Sequence, residues 1–365
     1  MTDVVLHVGK VSGVSGSEAH LLTLLPDLRD RGWDARFCLL HEDEQGAWEF
    51  AGRLVDAGVP VESIRLERDA DPLAFSRLLR VVRHTRPALL HTHLVHADAY
   101  GLPAGKLARV PVLASTKHGF NAFREGRVFA FGDRALGRLS DLNIAISAGL
   151  ARYLAETEGF DAARFEVVHY GIAAGAEPPP PPTSPRLLCV GRLIPIKGHE
   201  LLVHAFVEAR RDIPSLELVI AGEGPLRTEL DALVVQLAVE HAVRFVGRLS
   251  PIAPAYERAA VVVVPSLGEG FGMVALEAAE RGRAVIASAV GGLPEIVDDG
   301  RTGTLVPPGD TAAIAAAIVD LASQPERTAA MGRAARERAL REFSLERCAD
   351  QIDEHYRSAL ARRAR

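Results

Sequence analysis

Two glutamates, Glu269 and Glu277, bracket the turn of PSLGEGFGMVALEAAERG, which follows the apolar run VVVV at 261–264. A strand that leads through a glycine-rich turn into a helix is a ready anion site, because the first N–H groups of the helix have no intrahelical partner. Gly268, Gly270 and Gly272 leave the backbone bare for close approach. At the helical rise, eight residues span roughly 12 Å, so one carboxylate can face a sugar while the other accepts from both hydroxyls of a ribose. A diphosphate would lie between them. Its charge calls for cations, and GRLIPIKG at 191–198 offers Arg192, able to pair with two phosphate oxygens, and Lys197 as a point charge. Taken alone, two loop cations are as well explained by solvent exposure.

The first half carries His91, His93 and His96 in HTHLVH and His118 in STKHGF. His91 and His93 share one face of a strand, but no cysteine or clear carboxylate completes a ligand set, so no metal is assigned. GKVSGVSGSE, from Gly9 to Glu18, is another strand-to-helix turn, for which a tight bend alone would require glycine. Asp69 to Asp71 resembles a metal-binding carboxylate pair, yet Pro72 directly after Asp71 marks a helix cap. Arg77, Arg80, Arg83 and Arg86 recur every three residues on a helical stretch. They could meet anionic lipid, and a solvated helix face explains them equally. Asn121 to Arg138 mixes Phe123, Phe129 and Phe131 with arginines and would line an acceptor cleft or touch a bilayer.

These residues need elements to hold them, and the chain alternates short apolar runs with helical patterns, the sign of a doubly wound parallel sheet. The first half offers VVLHV (4–8), ARFCLL (35–40), VESIRL (61–66), ALLHTH (88–93), VLAST (112–116), LNIAIS (142–147) and FEVVHY (165–170). The proline run EPPPPPTSP at 177–185 can sit in neither helix nor sheet interior. After it the alternation restarts with RLLCVGRL, ELVIAGEG, VRFVG, VVVVPS, AVIAS and TLVPPG. The expected organisation is a domain at 1–177, a linker at 178–185, a second domain at 186–344, and a helix at 345–365 that returns to the first. Two α/β Rossmann-like domains would face each other across a cleft, with ligands beyond the carboxyl ends of the strands.

In order, GRLIPIKG, AGEGP (221–225), FVGRL (245–249), EGFGMVALE (269–277) and GGLPEIV (291–297) make the second half resemble the retaining GT-B glycosyltransferases of family 4. The resemblance implies that Glu269 lies near the donor sugar, Glu277 on the ribose, and Arg192 and Lys197 on the diphosphate. It places Gly222, within AGEGP, Gly270 and the backbone of Phe271 and Gly272 at the donor, and Arg248 and Leu249 beside the base. It also gives Gly13 and Gly16 a place on the opposite wall, and lets His118 reach the reactive end of the sugar through its ring or its carbonyl. Glu295 reads better as a carboxylate favoured by a helix dipole than as a catalytic group. One departure is Tyr170, Gly171, Ile172 and Ala173, where relatives carry Asn-Gly-(Ile/Val)-Asp, which puts the usual contacts of that turn in doubt.

The expected activity is retaining transfer of a hexose-type sugar from a UDP-, GDP- or ADP-sugar to a hydroxyl of a glycan, lipid-linked or small-molecule acceptor, in cell-surface glycan or glycolipid synthesis, with no metal or other cofactor. A nucleotide-sugar epimerase, which would need no acceptor, and a non-catalytic sugar-nucleotide binder are the alternatives. With a net charge of −5, the chain lacks the basic field that nucleic-acid binders need, so nucleic acid is not an expected partner. Cys38, Cys189 and Cys348 are widely separated and odd in number, which speaks for a reducing compartment. The absence of a run of about 20 apolar residues points to a cytoplasmic protein, with contact at the inner face of the membrane left open.

Overall fold

The computed structural model describes residues 3–119, 127–159 and 161–363. Phe123 and its neighbours from Asn121 to Gly126 lie outside that range, as does the side chain of Phe129. The chain forms two compact units, one of Met1–Gly171 with Leu345–Arg365 and the other of Ile172–Ser344.

The first unit is built on a seven-stranded sheet of β1 (Val4–Lys10), β2 (Asp34–His41), β3 (Val61–Arg65), β4 (Leu89–His93), β5 (Val112–Lys117), β6 (Leu142–Ala145) and β7 (Phe165–Val167). Its order is β3-β2-β1-β4-β5-β6-β7, and the pairings are parallel. The second sheet has β8 (Arg186–Val190), β9 (Glu217–Ala221), β10 (Val243–Gly247), β11 (Val261–Val264), β12 (Ala284–Ser288) and β13 (Gly303–Val306) in the order β10-β9-β8-β11-β12-β13. These are two Rossmann-like doubly wound sheets; β11 reads as an unbroken apolar run, whereas β1 and β4 carry His7, His91 and His93 among their apolar residues. The strand after Phe165 stops at Val167, short of the expected Tyr170, because Tyr170 turns off the sheet edge to bind His118.

The proline run packs with the second unit. Arg283, fully buried, donates to the carbonyls of Tyr256, Glu257 and Pro179, and Gly175 N–H donates to Glu280 Oε1 at 2.9 Å. These bonds move the observed boundary from the expected 177 to Gly171–Ile172.

The helix Leu345–Arg363 closes one face of the first unit. Cys348, Ala349, Ile352, Tyr356 and Ala359 enter a core that also holds Trp33, Leu142 and Val5. Tyr356 stands edge-on to Trp33 at 5.7 Å, while Trp33 Nε1–H donates to Asp353 at 2.6 Å. Each large apolar side chain buried there contributes about 1.5–3 kcal/mol. Asp71 does cap the helix Pro72–Thr85, accepting from Leu73 and Ala74 N–H. The three cysteines are free and buried. Among the described residues, no helix is long and apolar enough to cross a membrane.

Candidate active site

In the second sheet, β8 and β11 are neighbours at the point where the strand order reverses, and the crevice beyond the carboxyl ends of such a pair takes ligands. The turn after β8 carries Arg192 and Lys197, and the turn after β11 carries Glu269. Lys197 Nζ donates to Glu269 Oε2 at 2.6 Å, with only 23% and 16% of the two side chains exposed. The two groups, expected at the diphosphate and at the sugar of a donor, are paired with each other in this structure. Arg192 stays exposed, its carbonyl held by His199 Nε2 at 3.0 Å.

Glu277 lies in the helix Met273–Glu280, which starts at Gly272 with φ of +113°. The four residues from Glu269 to Gly272 are not helical, so a spacing taken from helical rise does not describe the two glutamates. A β-carbon on Gly272 would come within 2.6 Å of Leu293, and Phe271 is buried edge-on to Phe343, so backbone rather than side chain lines this turn. Gly270 belongs to the same turn. Tyr256 O–H donates to Glu277 Oε2 at 2.6 Å. Burial pushes the Glu277 carboxyl above its ordinary pKa, against the pull of that bond and of Arg281. Nothing in APAYERAA marks Tyr256 as the partner of a residue 21 positions away.

Three turns are stitched together beside this crevice. Gly191 N–H donates to Ala221, Leu193 N–H to Glu223, and Gly222 N–H to Gly247. Gly222 has φ of +149°, and a β-carbon there would sit 1.8 Å from Gly191 O. Gly222→Ala should therefore displace the Arg192 turn and weaken nucleotide binding at least tenfold, on the scale of the 1–3 kcal/mol held in such backbone positions; calorimetry with nucleoside diphosphates would show it. Arg248, exposed, and Leu249, half-buried, follow Gly247, which has φ of +68°.

In the first unit, Gly16 opens the helix Gly16–Asp30, capped by Ser15 with Glu18. Ser15 N–H donates to Glu18 Oε2 at 3.0 Å, so this helix end already carries a carboxylate. Gly46 presses on the turn from a neighbouring helix: a β-carbon there would lie 2.7 Å from Gly13 Cα.

His118 follows β5, and both of its ring nitrogens are engaged. Nδ1 bonds the Tyr170 hydroxyl, and Nε2 lies 2.9 Å from His93 Nδ1. Both ring nitrogens of His118 therefore have partners within the first unit. Tyr170, at the departure from the family pattern, is thus the partner of that ring. His93 continues to His7, whose Nδ1 is 2.9 Å from His93 Nε2. No cysteine or carboxylate joins His91 and His93 in that cluster, but a third histidine does: β1 pairs with β4 so that His7 stands opposite His91, and one nitrogen from each of His7, His91 and His93 falls within 4.8 Å of the others. Burial pushes His7, His20 and His118 down to about 3, and His91 and His93 well below the usual histidine range. Next to His118, Lys117 is fully buried between Asp98 at 2.6 Å and Asp133 at 2.8 Å.

Residues 184–324 match the family model of the glycosyl transferases group 1, and residues 15–171 match that of the glycosyl transferase 4-like domain. A glycogen synthase of Mycobacterium tuberculosis is 35% identical over 296 residues, 76% of this chain and 70% of its own. The chain belongs to the group 1 glycosyltransferases. Alpha-maltose-1-phosphate synthase of Mycolicibacterium smegmatis is another relative of this group 1 chain, 32% identical over 78% of it and 82% of the relative. Among solved structures, Anabaena HepE with UDP and glucose superposes with a TM-score of 0.86 at 21% identity, covering 98% of this chain and 100% of that one. Sucrose-phosphate synthase of Thermosynechococcus elongatus gives 0.78 at 24% identity, covering 98% and 99%. The fold of this glycosyltransferase is thus GT-B, and the enzyme is a hexosyltransferase.

Proposed function

We propose that the protein transfers a hexose from a nucleoside-diphosphate sugar to an acceptor hydroxyl with retention at the anomeric carbon. The observation that carries this reading is the shielded Lys197–Glu269 pair at the reversal of the second sheet, with Arg192 exposed beside it. Arg192 and Lys197 would stabilise the departing diphosphate, so the reading assigns no metal to that step. Lys197 exchanges Glu269 for phosphate when donor binds, which frees the carboxylate for the sugar. Glu277, steadied by Tyr256, takes the ribose. His118 acts through its carbonyl, since its ring is engaged. Anabaena HepE is solved with UDP-glucose, which makes that donor the first to test, ahead of GDP- and ADP-sugars. A glycan, a lipid-linked sugar or a small molecule supplies the hydroxyl. Arg77, Arg80 and Arg83, exposed on the helix Pro72–Thr85, offer a face to anionic lipid on the cytoplasmic side.

Selective thermal stabilisation by one nucleoside diphosphate, followed by acceptor-dependent release of that nucleotide, tests the reading. Nucleotide release without acceptor, or donor isomerisation, would count against it. Glu277→Ala should raise the donor Kd about 10- to 100-fold through loss of charge-assisted bonds, while Arg192→Ala should lower kcat by about 100-fold or more. Wild-type values in both variants would sink the site assignment.

A further inference from the structure

The first unit buries a line of rings that the proposed transfer does not use. His7, His93 and His118 are linked nitrogen to nitrogen at 2.9 Å in both steps, and the line runs on to the Tyr170 hydroxyl. His7 and His93 are 0% and 3% exposed. His7 Nε2 is buried with no hydrogen-bond partner. Each neutral imidazole has one N–H and one lone pair, so the protons must all point the same way along the line.

That end group decides the direction. If the protons pointed towards His7, its Nε2–H would be a buried donor without an acceptor, and orphaned buried N–H groups are rarer than unsatisfied acceptors. The opposite sense leaves a lone pair on His7 Nε2 and turns the Tyr170 O–H to a partner outside the line. It makes His7 donate from Nδ1 to His93, His93 from Nδ1 to His118, and His118 from Nδ1 to Tyr170. A metal on His7, His91 and His93 fits less well, because both nitrogens of His91 already face Thr116 Oγ1, at 2.7 Å, and the Tyr356 hydroxyl.

We propose that His93, backed by His7, is a positioning residue whose Nδ1–H locks His118 as its Nδ1–H tautomer against Tyr170 and so fixes the backbone at His118. The functional half of this inference rests on the proposed transfer; the tautomer half does not.

Selective 15N-histidine labelling of the full chain, read by long-range 15N–1H correlation at pH 7, shows the tautomers directly. His93 and His118 are expected neutral with the proton on Nδ1. His93→Leu should shift the His118 proton towards Nε2 and lower kcat about 10- to 100-fold with donor KM within about twofold. His93→Asn, whose amide N–H stands where Nδ1 stood, should restore both signals, whereas His93→Gln, which reaches to the Nε2 position, should not. His118 protonated on Nε2 in the wild type overturns the proposal, as does unchanged turnover in folded His93→Leu or equal rescue by Asn and Gln. Stoichiometric divalent metal found by elemental analysis overturns it too. Should His93→Leu fail to fold, the wild-type spectrum and the Asn/Gln pair decide. A wild type that transfers no sugar removes the transfer reading and leaves the spectrum to judge the ring line.

Discussion

Lowering the pH from 7 to 5 should unfold the first unit. His7, His20, His91 and His93 are 0 to 7% exposed, and burial holds them neutral far below the ordinary value of 6.5. In the unfolded chain the same groups protonate near pH 6.5. Below that point the unfolded state binds more protons than the native state, so stability is complete above pH 6.5 and falls as pH drops towards 3. Each ring loses about 1.4 kcal/mol per pH unit, or roughly 2 kcal/mol at pH 5. Four together reach about 8 kcal/mol, comparable with the entire stability of a typical domain. Urea midpoints at pH 7.5, 6 and 5 would measure the loss. His20→Phe, which keeps a ring stacked on Tyr170 where His20 now lies at 4.3 Å, should flatten the slope by about one proton. A midpoint that holds steady down to pH 5 would refute the account.

Lys117→Met should destabilise the same unit by about 3–5 kcal/mol, the usual effect of removing one member of a buried ion network. Asp98 is fully buried and accepts from Ser115 Oγ at 2.8 Å as well as from Lys117 at 2.6 Å. Without the ammonium, Asp98 and Asp133 would face each other as like charges away from water. The expected drop in thermal midpoint is about 10 °C for a unit of this size. Adding Asp98→Asn and Asp133→Asn should recover much of it, since amides need no counter-charge. A Lys117→Met protein as stable as the wild type would show that the two carboxylates are not both ionised. Because Lys117 ends the strand that delivers His118, this variant should also reduce turnover.

Legibility in the sequence followed contiguity. Glu269, Gly272 and Glu277 lie in one segment, so their turn and helix could be read as a unit. Gly222 and Gly191 are further apart, but each sits in a short glycine motif whose backbone demands are local. Tyr256 and Glu277, His7 and His93, and Arg283 and Pro179 meet only because non-consecutive strands pair, or because a loop folds back on its sheet. Single-residue patterns hold no trace of such meetings. The pairing of Lys197 with Glu269 is intermediate: both residues were recognisable, but their contact depends on β8 lying beside β11.

The place of the helix Leu345–Arg363 in the first unit bears on how the protein is made. A ribosome delivers the first 171 residues long before that helix, and at about 5–20 residues per second the wait is roughly ten to forty seconds. Through that interval the nascent first unit lacks Tyr356, Ile352 and Ala349, which fill its core beside Trp33 and Val5. The second unit, Ile172–Ser344, is continuous in the chain and can finish first. Vectorial synthesis therefore reverses the usual amino-to-carboxyl order of domain completion and leaves an uncovered apolar face for a chaperone to guard.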